Sequence, residues 1–381
     1  MGGVVRDLLL GRPIRDVDLV VADDAIRFAA RLAEELRAET EAHRRFGTAT
    51  LFLPGGGRLD LAGARREAYP RPGALPEVFP AASIEEDLAR RDFTVNAMAL
   101  ELAPGRRLVD PHGGRADLAK KRIRFLHPRS PADDPTRAFR AVRYATRLDF
   151  RIAPEARRSI ASAVAGGAVD AVSGDRLRRE LALILAEPEP GRGVGSLGRL
   201  GLDAAIHPAL SDPRAGARVA AAARVAAEGA GWLCYFLAWM GPTRKGPLQG
   251  IADRLAFAGR DRKRLLAWPD TRAALAPGLS ALAPSELSRR LRGRCLEEVV
   301  AAAAELPARD RGALLRGFAA SGGVRLSVRG SDLVAAGVPP GPRIGCALAG
   351  TLAAREDGRI SEAEELDFAV GLAREERGDP R

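Results

Sequence analysis

The period of the hydrophobic pattern changes once along this chain, and that change divides what the chain can fold into. Over the first hundred or so residues, strand-like and helix-like segments alternate; from about residue 118 onward, Ala/Leu/Arg-rich helical spacing runs nearly to the end. A repeat of two marks a half-buried strand, and one near 3.6 marks an amphipathic helix. The pattern predicts an α+β chain: a small α/β head followed by an elongated, all-helical stem. Arg15 to Val21 sets Val17, Leu19 and Val21 on one strand face and Asp16 and Asp18 on the other. Asp24 is placed to cap the helix that follows, where Ile26, Ala29, Ala33 and Leu36 share a face. Thr48 to Phe52 and Arg58 to Ala62 read as further strands joined by the turn Pro54-Gly55-Gly56-Gly57. Pro/Gly clusters at 187–195, 268–277 and 337–342 read as joints in the helical part, which shows no fixed-period repeat.

Composition removes several classes. With 381 residues, 46% hydrophobic and 29% charged, the chain has the makings of several packed cores and resembles neither a disordered nor a membrane protein. Its most apolar stretch, Trp232 to Met240, is far short of the ~20 residues of a spanning helix and reads as core. Cys234, Cys295 and Cys346 lie far apart without ligand spacing, so neither a disulfide framework nor a zinc site is expected, and a reducing cytoplasm is the simple setting. His43, His112, His127 and His207 fall in no constellation and read as structural. The net charge of +11 favours a polyanionic partner. Lys occurs only at 120, 121, 245 and 263, however, so an Arg-rich coding bias explains the charge equally well.

Chemistry enters with Gly2-Gly3-Val4-Val5-Arg6-Asp7, followed by Asp16-Val17-Asp18. Paired glycines let backbone NH groups approach a phosphate, Arg6 adds positive charge, and a helix starting there adds its dipole. Two aspartates on one strand face repel each other unless hard cations such as Mg2+ lie between them. Two such ions activate an attacking hydroxyl and neutralise a leaving pyrophosphate. Asp60, in Leu59-Asp60-Leu61, is a candidate third carboxylate. Alone, the Asp pair is better read as a solvated strand edge; the preceding run reverses the reading.

That run resembles the first motif of the class II CCA-adding enzyme and bacterial poly(A) polymerase family, a branch of the polymerase β nucleotidyltransferase superfamily. Further stretches follow in the family's order: Arg90-Arg91-Asp92-Phe93-Thr94-Val95-Asn96-Ala97, then Asp110-Pro111-His112-Gly113-Gly114. The resemblance implies a nucleotidyltransferase-type head in which Gly3, Arg6 and Arg91 contact the nucleotide, Asp16 and Asp18 hold Mg2+ and carry catalysis, and Asp92 places the ribose. It also implies a division into a head at 1–118, a nucleobase-recognising neck at 119–185, a body at 186–270 and a tRNA-binding tail at 271–381. The apolar run Phe93 to Leu102 reads as core.

Asp133-Asp134-Pro135-Thr136-Arg137, continuing through Arg140, Arg143 and Arg147, spaces its arginines as one cationic helix stripe. As plain structure, Asp134 caps the helix and Asp133 pairs with Arg137 one turn on. As chemistry, an aspartate accepts from an exocyclic amine and an arginine donates to an unprotonated ring nitrogen. Cytosine and adenine share that edge; uracil and guanine do not. Asp134 with Arg137 therefore suits CTP and ATP, each bidentate contact being worth ~1–3 kcal/mol of discrimination. The stretch resembles the family's EDxxR template motif with Asp133 in place of Glu, and Arg140 and Arg143 match positions near the nucleotide. Val172 to Leu181 resembles the fifth motif, where Arg176 and Glu180 at i,i+4 are placed to brace the template helix.

Arg329 to Gly345 resembles the tail of CCA-adding enzymes, its Gly-rich turns suiting either a phosphate-backbone contact or a plain turn. The activity expected is addition of C, C and A to the tRNA 3' end, with the acceptor arm gripped through its phosphates; nothing here specifies an oligomeric state. Two departures qualify this. Met1 directly precedes Gly2, where family members carry a short apolar strand, and we expect the natural start to lie upstream. Arg66-Glu67-Ala68-Tyr69-Pro70 through Pro76-Glu77-Val78 differs from the loop that helps the family switch from C to A. A CC-adding or A-adding specialist therefore stays open, as do a poly(A) polymerase and a noncatalytic RNA-binding protein on the same fold.

Overall fold

A computed structural model describes residues 1–375 apart from 15, 23, 45–46, 69, 71–72, 74–76, 103–104 and 227; the side chains of Asp16 and Glu375 also lie outside the described set, as do Arg15, Tyr69 and Pro76 from the segments read above. The chain forms two compact units, Met1–Gly216 with Asp253–Phe257, and Ala217–Ala252 with Ala258–Arg381.

The first unit opens with helix α1 (Gly3–Leu9), strand β1 (Asp16–Val21) and helix α2 (Ala25–Leu36), whose first turn is capped by the Asp24 carboxylate accepting from Ile26 N and Arg27 N at 2.9 and 3.1 Å. Strands β2 (Glu39–His43), β3 (Thr48–Phe52) and β4 (Arg58–Gly63) complete a four-stranded sheet in the order β1-β4-β3-β2, with β1 parallel to β4 and the other pairs antiparallel. Alternation then sorts the side chains. Leu19, Ala49, Leu51, Leu59 and Leu61 pack against Ala25, Ala29 and Ala33 of α2. Asp18, Thr50 and Asp60 are left on the other face, Asp18 in register with Asp60. β2 escapes a reading by pattern because all five of its residues are exposed.

A hairpin of β5 (Arg65–Ala68) and β6 (Glu77–Pro80) and helix α3 (Ile84–Ala89) lead to a single 3-10 turn at Thr94–Asn96. The run from Phe93 is core as expected, with Phe93, Val95, Ala97 and Met98 fully buried, although Leu102 at its end is exposed. Helices α4 (Gly114–Ala119), α5 (Ser130–Asp133), α6 (Thr136–Leu148), α7 (Pro154–Ala165) and α8 (Gly174–Leu185) follow. The stretch read as purely helical also holds a two-residue parallel pairing of Arg122–Ile123 with Arg151–Ile152. At the start of α4, a Cβ on Gly114 would collide with the Thr94 carbonyl oxygen. Gly114→Ala is expected to destabilise the chain by about 3 kcal/mol, since backbone must move to admit it; unchanged denaturant unfolding would show that α4 shifts freely.

Among the described residues the second unit is helical. Trp232–Met240 is buried on nearly every side, as its apolar run requires, and packs on Leu296–Ala303. The Pro/Gly cluster read as a joint at 268–277 proves to lie largely within the helix Gly259–Ala274, which continues through Pro269. Trp268, fully buried and donating Nε1–H to the Gly241 carbonyl at 3.1 Å, anchors that stretch. The cluster at 337–342 does separate two helices, Gly330–Ala335 and Pro342–Glu356, above a core of Val328, Leu333, Val338, Ala347, Ala369 and Ala373. No helix in the described residues is long and apolar enough to cross a membrane.

Candidate functional site

The sheet face turned away from α2 carries the acidic group. Asp18 is exposed on β1, and beside it on β4 Asp60 accepts from Thr50 Oγ1 at 2.7 Å and from Arg58 Nε at 2.9 Å. Burial pushes the Asp60 carboxyl up, but Arg58 and Thr50 outweigh it and hold it below its ordinary pKa. Asp16 lies two residues before Asp18 on β1, a spacing that shares a face, but its side chain is outside the described set. Among the described residues no three potential ligands cluster; Asp18 and Asp60 are one carboxylate short of such a set. Their hard oxygen donors fit a cation such as Mg2+.

Arg90, Arg91 and Asp92 follow α3, and a residue not singled out in the sequence organises the first two. Asp87, fully buried, accepts from Arg90 Nη2 at 2.9 Å and Arg91 Nη2 at 3.0 Å, while Arg90 also reaches Glu67 at 2.8 Å. The i,i+3 and i,i+4 spacing from Asp87 was a legible signal. Asp92 is buried and its acceptors are filled: Oδ1 by Phe93 N at 2.8 Å and Asn96 Nδ2 at 3.0 Å, Oδ2 by Arg140 Nε at 2.8 Å. Burial alone would raise the Asp92 pKa; Arg140 and then Asn96 reverse this and depress it. Asn96 extends the network by accepting from Arg6 Nη1 at 2.7 Å. Arg6 also pairs with Asp7 at 2.8 Å, so it is buried behind the site and does not line the cleft.

The helix α6 corrects the picture of a free cationic stripe, because its arginines find partners from distant segments. Arg140 meets Asp92, Arg143 lies 3.6 Å from Glu180, and Arg147 meets Glu187 at 2.8 Å. Arg137, buried, donates to Ser130 Oγ and the Arg90 carbonyl, both at 2.8 Å. Tyr144 stands among the guanidinium groups of Arg6, Arg140 and Arg143, 5.2 to 5.6 Å from its ring centroid. Tyr144 carried no signal, being one polar group inside a helical run, and Asn96 stood within the second of the quoted stretches without a role of its own.

At the head of α6 the Asp134 Oδ1 accepts from Thr136 N at 3.1 Å, Thr136 Oγ1 at 2.7 Å and Arg176 Nη2 at 2.9 Å. The cap is thus real, but the local pair is not the one spacing predicted. Asp133 lies 3.8 Å from Arg129 rather than on Arg137, whereas Arg176 and Glu180 do brace α6 as expected, through Asp134 and Arg143. Burial raises the Glu180 pKa, with Arg143 opposing.

Gly3, Asp18, Arg91, Asp92, Asp134, Arg137 and Arg140 together line one open cleft of about 560 Å³, joined there by Asn96, Tyr144, Arg176 and Glu180. Asp60 lines a neighbouring cleft of about 440 Å³, and Arg143 stands behind the first. The larger volume suits a ligand of drug or nucleotide size. Its lining combines the Asp18 carboxylate, several guanidinium groups and the Asp134 and Arg137 side chains.

Residues 1–124 match the model of the poly A polymerase head domain. An A-adding tRNA nucleotidyltransferase of Geobacter sulfurreducens is 34% identical over 98% of this chain and 45% of its own length. A CC-adding tRNA nucleotidyltransferase of Deinococcus radiodurans is 34% identical over 97% of this chain and 87% of its own. A solved CCA-adding enzyme in an apo form is 30% identical, with a TM-score of 0.87 over 98% of this chain and 90% of that one. The chain spans less than half the length of the A-adding relative.

Proposed function

Because this chain belongs to the class II CCA-adding enzyme and bacterial poly(A) polymerase family of nucleotidyltransferases, we propose that it adds C, C and A to the 3' end of tRNA from CTP and ATP, without a nucleic acid template. The observation that carries this reading is the single cleft in which Asp18, Arg91, Asp134 and Arg137 converge. The 3'-hydroxyl of the tRNA attacks the α-phosphorus of the bound nucleotide; the new O–P bond forms as the bond to pyrophosphate breaks. Asp16 and Asp18, with Asp60 alongside, would hold Mg2+, which supplies charge neutralisation for the leaving pyrophosphate.

The protein's own groups do the rest. Arg91, aimed by Asp87, offers its guanidinium to phosphate oxygens. Asp134 spends Oδ1 on Thr136 and Arg176, which fixes the carboxylate and presents Oδ2 to an exocyclic amine. Arg137, fastened from behind by Ser130 and the Arg90 carbonyl, faces the adjacent ring nitrogen. The Asp92–Arg140 pair stiffens the wall between base and sugar.

The test is to incubate tRNA ending before CCA, and tRNA ending in CC, with each labelled nucleotide. Incorporation of C, C and then A supports the proposal. C alone or A alone establishes a specialist, in keeping with the two relatives' names; long A tails establish a poly(A) polymerase, and no incorporation a noncatalytic binder. Asp134→Ala is expected to reduce the preference for CTP over UTP in kcat/KM by ~10- to 100-fold, with about 1 kcal/mol lost from the helix cap. Preserved preference would remove Asp134 from base selection.

A further inference from the structure

The cleft that selects the base shares Asp18, Arg90 and Arg91 with the second cleft, which lies over the sheet face of Thr48, Thr50 and Asp60 and carries Arg65 on its wall. The arginines around the two clefts have partners in the protein. Arg58 pairs with Asp60, Arg90 and Arg91 with Asp87, Arg140 with Asp92, Arg176 with Asp134 and Arg179 with Asp175, while Arg137 is fastened to Ser130 and the Arg90 carbonyl. Arg65 differs. Among the described residues its guanidinium makes no hydrogen bond or ion pair, and its Nε is buried with no acceptor.

Arg65 is nevertheless firmly placed. Its backbone N donates to Asp87 Oδ1 at 3.1 Å and its carbonyl accepts from Arg90 Nε at 3.0 Å, so the residues that aim Arg91 also root Arg65 at the start of β5. Burial and then the neighbouring Arg90 act against its charge and lower its pKa from the ordinary value. Glu67 and Asp87 stand near the Arg65 guanidinium without bonding to it, so the buried Nε keeps an unused donor that an incoming anion would satisfy.

An in-line displacement needs the attacking hydroxyl and the leaving pyrophosphate on opposite sides of the α-phosphorus, so the acceptor must approach from a side the bound nucleotide leaves open. Two clefts that meet at Asp18 provide those two sides. Asp134 and Arg137 assign the nucleotide to one, which leaves the sheet-face cleft to the acceptor. We infer that Arg65 receives the last phosphodiester of the RNA being extended, and that the second cleft seats its terminal nucleotide. This rests on the reading under Proposed function. The same phosphate chemistry exists on the β- and γ-phosphates of the nucleotide, and the experiment separates the two sources.

The full chain, Arg65→Ala and Arg65→Lys are compared on tRNA lacking CCA and tRNA ending in CC. Measured are KM for tRNA, KM for CTP and ATP, tRNA binding as a function of salt, and thermal unfolding. Arg65→Ala is expected to raise KM and Kd for tRNA about tenfold, the loss of one charge-assisted hydrogen bond, and to lower the salt slope of binding by about 1. KM for CTP and ATP stays unchanged, as does the melting temperature, because the side chain bonds to nothing in the fold. Arg65→Lys retains the salt slope and regains most of the affinity. A rise in nucleotide KM with tRNA KM unchanged overturns the inference in favour of a triphosphate contact, and no change in either overturns it outright. Failure of the wild-type chain to extend any tRNA sinks the functional reading and this inference together; normal extension with an indistinguishable Arg65→Ala sinks the inference alone.

Discussion

Asp18→Ala is expected to lower the rate of nucleotide incorporation by at least about a thousandfold, the order seen when a group that stabilises transition-state charge is removed. The substitution is clean because of where Asp18 sits. It is exposed on β1, and its carboxylate makes no hydrogen bond within the described residues, so the fold loses nothing by its removal. Stability should stay within about 0.5 kcal/mol of wild type, as for other surface changes without partners. Binding of CTP, ATP and tRNA should survive, since the base and phosphate contacts proposed above come from other elements. Single-turnover incorporation of labelled nucleotide together with thermal unfolding checks the prediction. Activity within tenfold of wild type would mean that this carboxylate is not at the reacting centre, and the assignment of both clefts would go with it.

Asp92→Ala should act in the opposite way, through the fold first. Its carboxylate is buried and saturated by Phe93 N, Asn96 and Arg140, and Asn96 in turn holds Arg6. Truncation strands Arg140 and Asn96 at once, and a loss of about 3 kcal/mol is expected, as for a buried ion pair deprived of one member. Incorporation should fall as well, because Arg140 and Tyr144 line the cleft beside Asp134 and Arg137, to which we assign base selection.

The pH dependence has a definite sign. Burial pushes the Asp92 pKa up and its donors, Arg140 first, pull it further down, so its folded value lies below the ordinary carboxylate value of about 3.9. Its stabilisation is therefore complete above that value and is lost as pH falls through the folded pKa. Glu180 titrates in the other sense: burial raises its pKa, so its contribution is present below the ordinary glutamate range and is lost as pH rises through the raised value. Denaturant unfolding between pH 3 and pH 7 should show a weaker acid loss in Asp92→Ala than in wild type. An identical acid slope in the two proteins would show that Asp92 is not the group being titrated.

Much of the head could be read by eye. The alternation that separated Leu19 from Asp18 is the alternation seen in β1, and Asp24 caps α2 where a capping residue was expected. β2 was invisible because Glu39–His43 is an exposed edge held only by backbone pairing with β3, and backbone bonds leave no trace in side-chain spacing. Pro269 was misleading for a related reason. It removes one local hydrogen bond, but the burial of Trp268 keeps the helix whole.

What the linear order of residues determined by itself was local: which side chains share a strand face, which residues start helices, and which acidic and basic groups lie within a few positions of each other. What only the tertiary structure decided was the choice of ionic partner. Spacing paired Asp133 with Arg137; the folded chain sets Asp133 near Arg129, pairs Arg176 with Asp134, Arg140 with Asp92 and Arg143 with Glu180, and leaves the Arg65 Nε without an acceptor. An exposed pair one helical turn apart is worth only about 0.3 to 0.5 kcal/mol, whereas charges brought together in a half-buried cleft interact at lower effective dielectric and with less screening. The stronger interaction wins, and which groups take part in it depends on how α3, α6 and α8 pack, which no local pattern encodes.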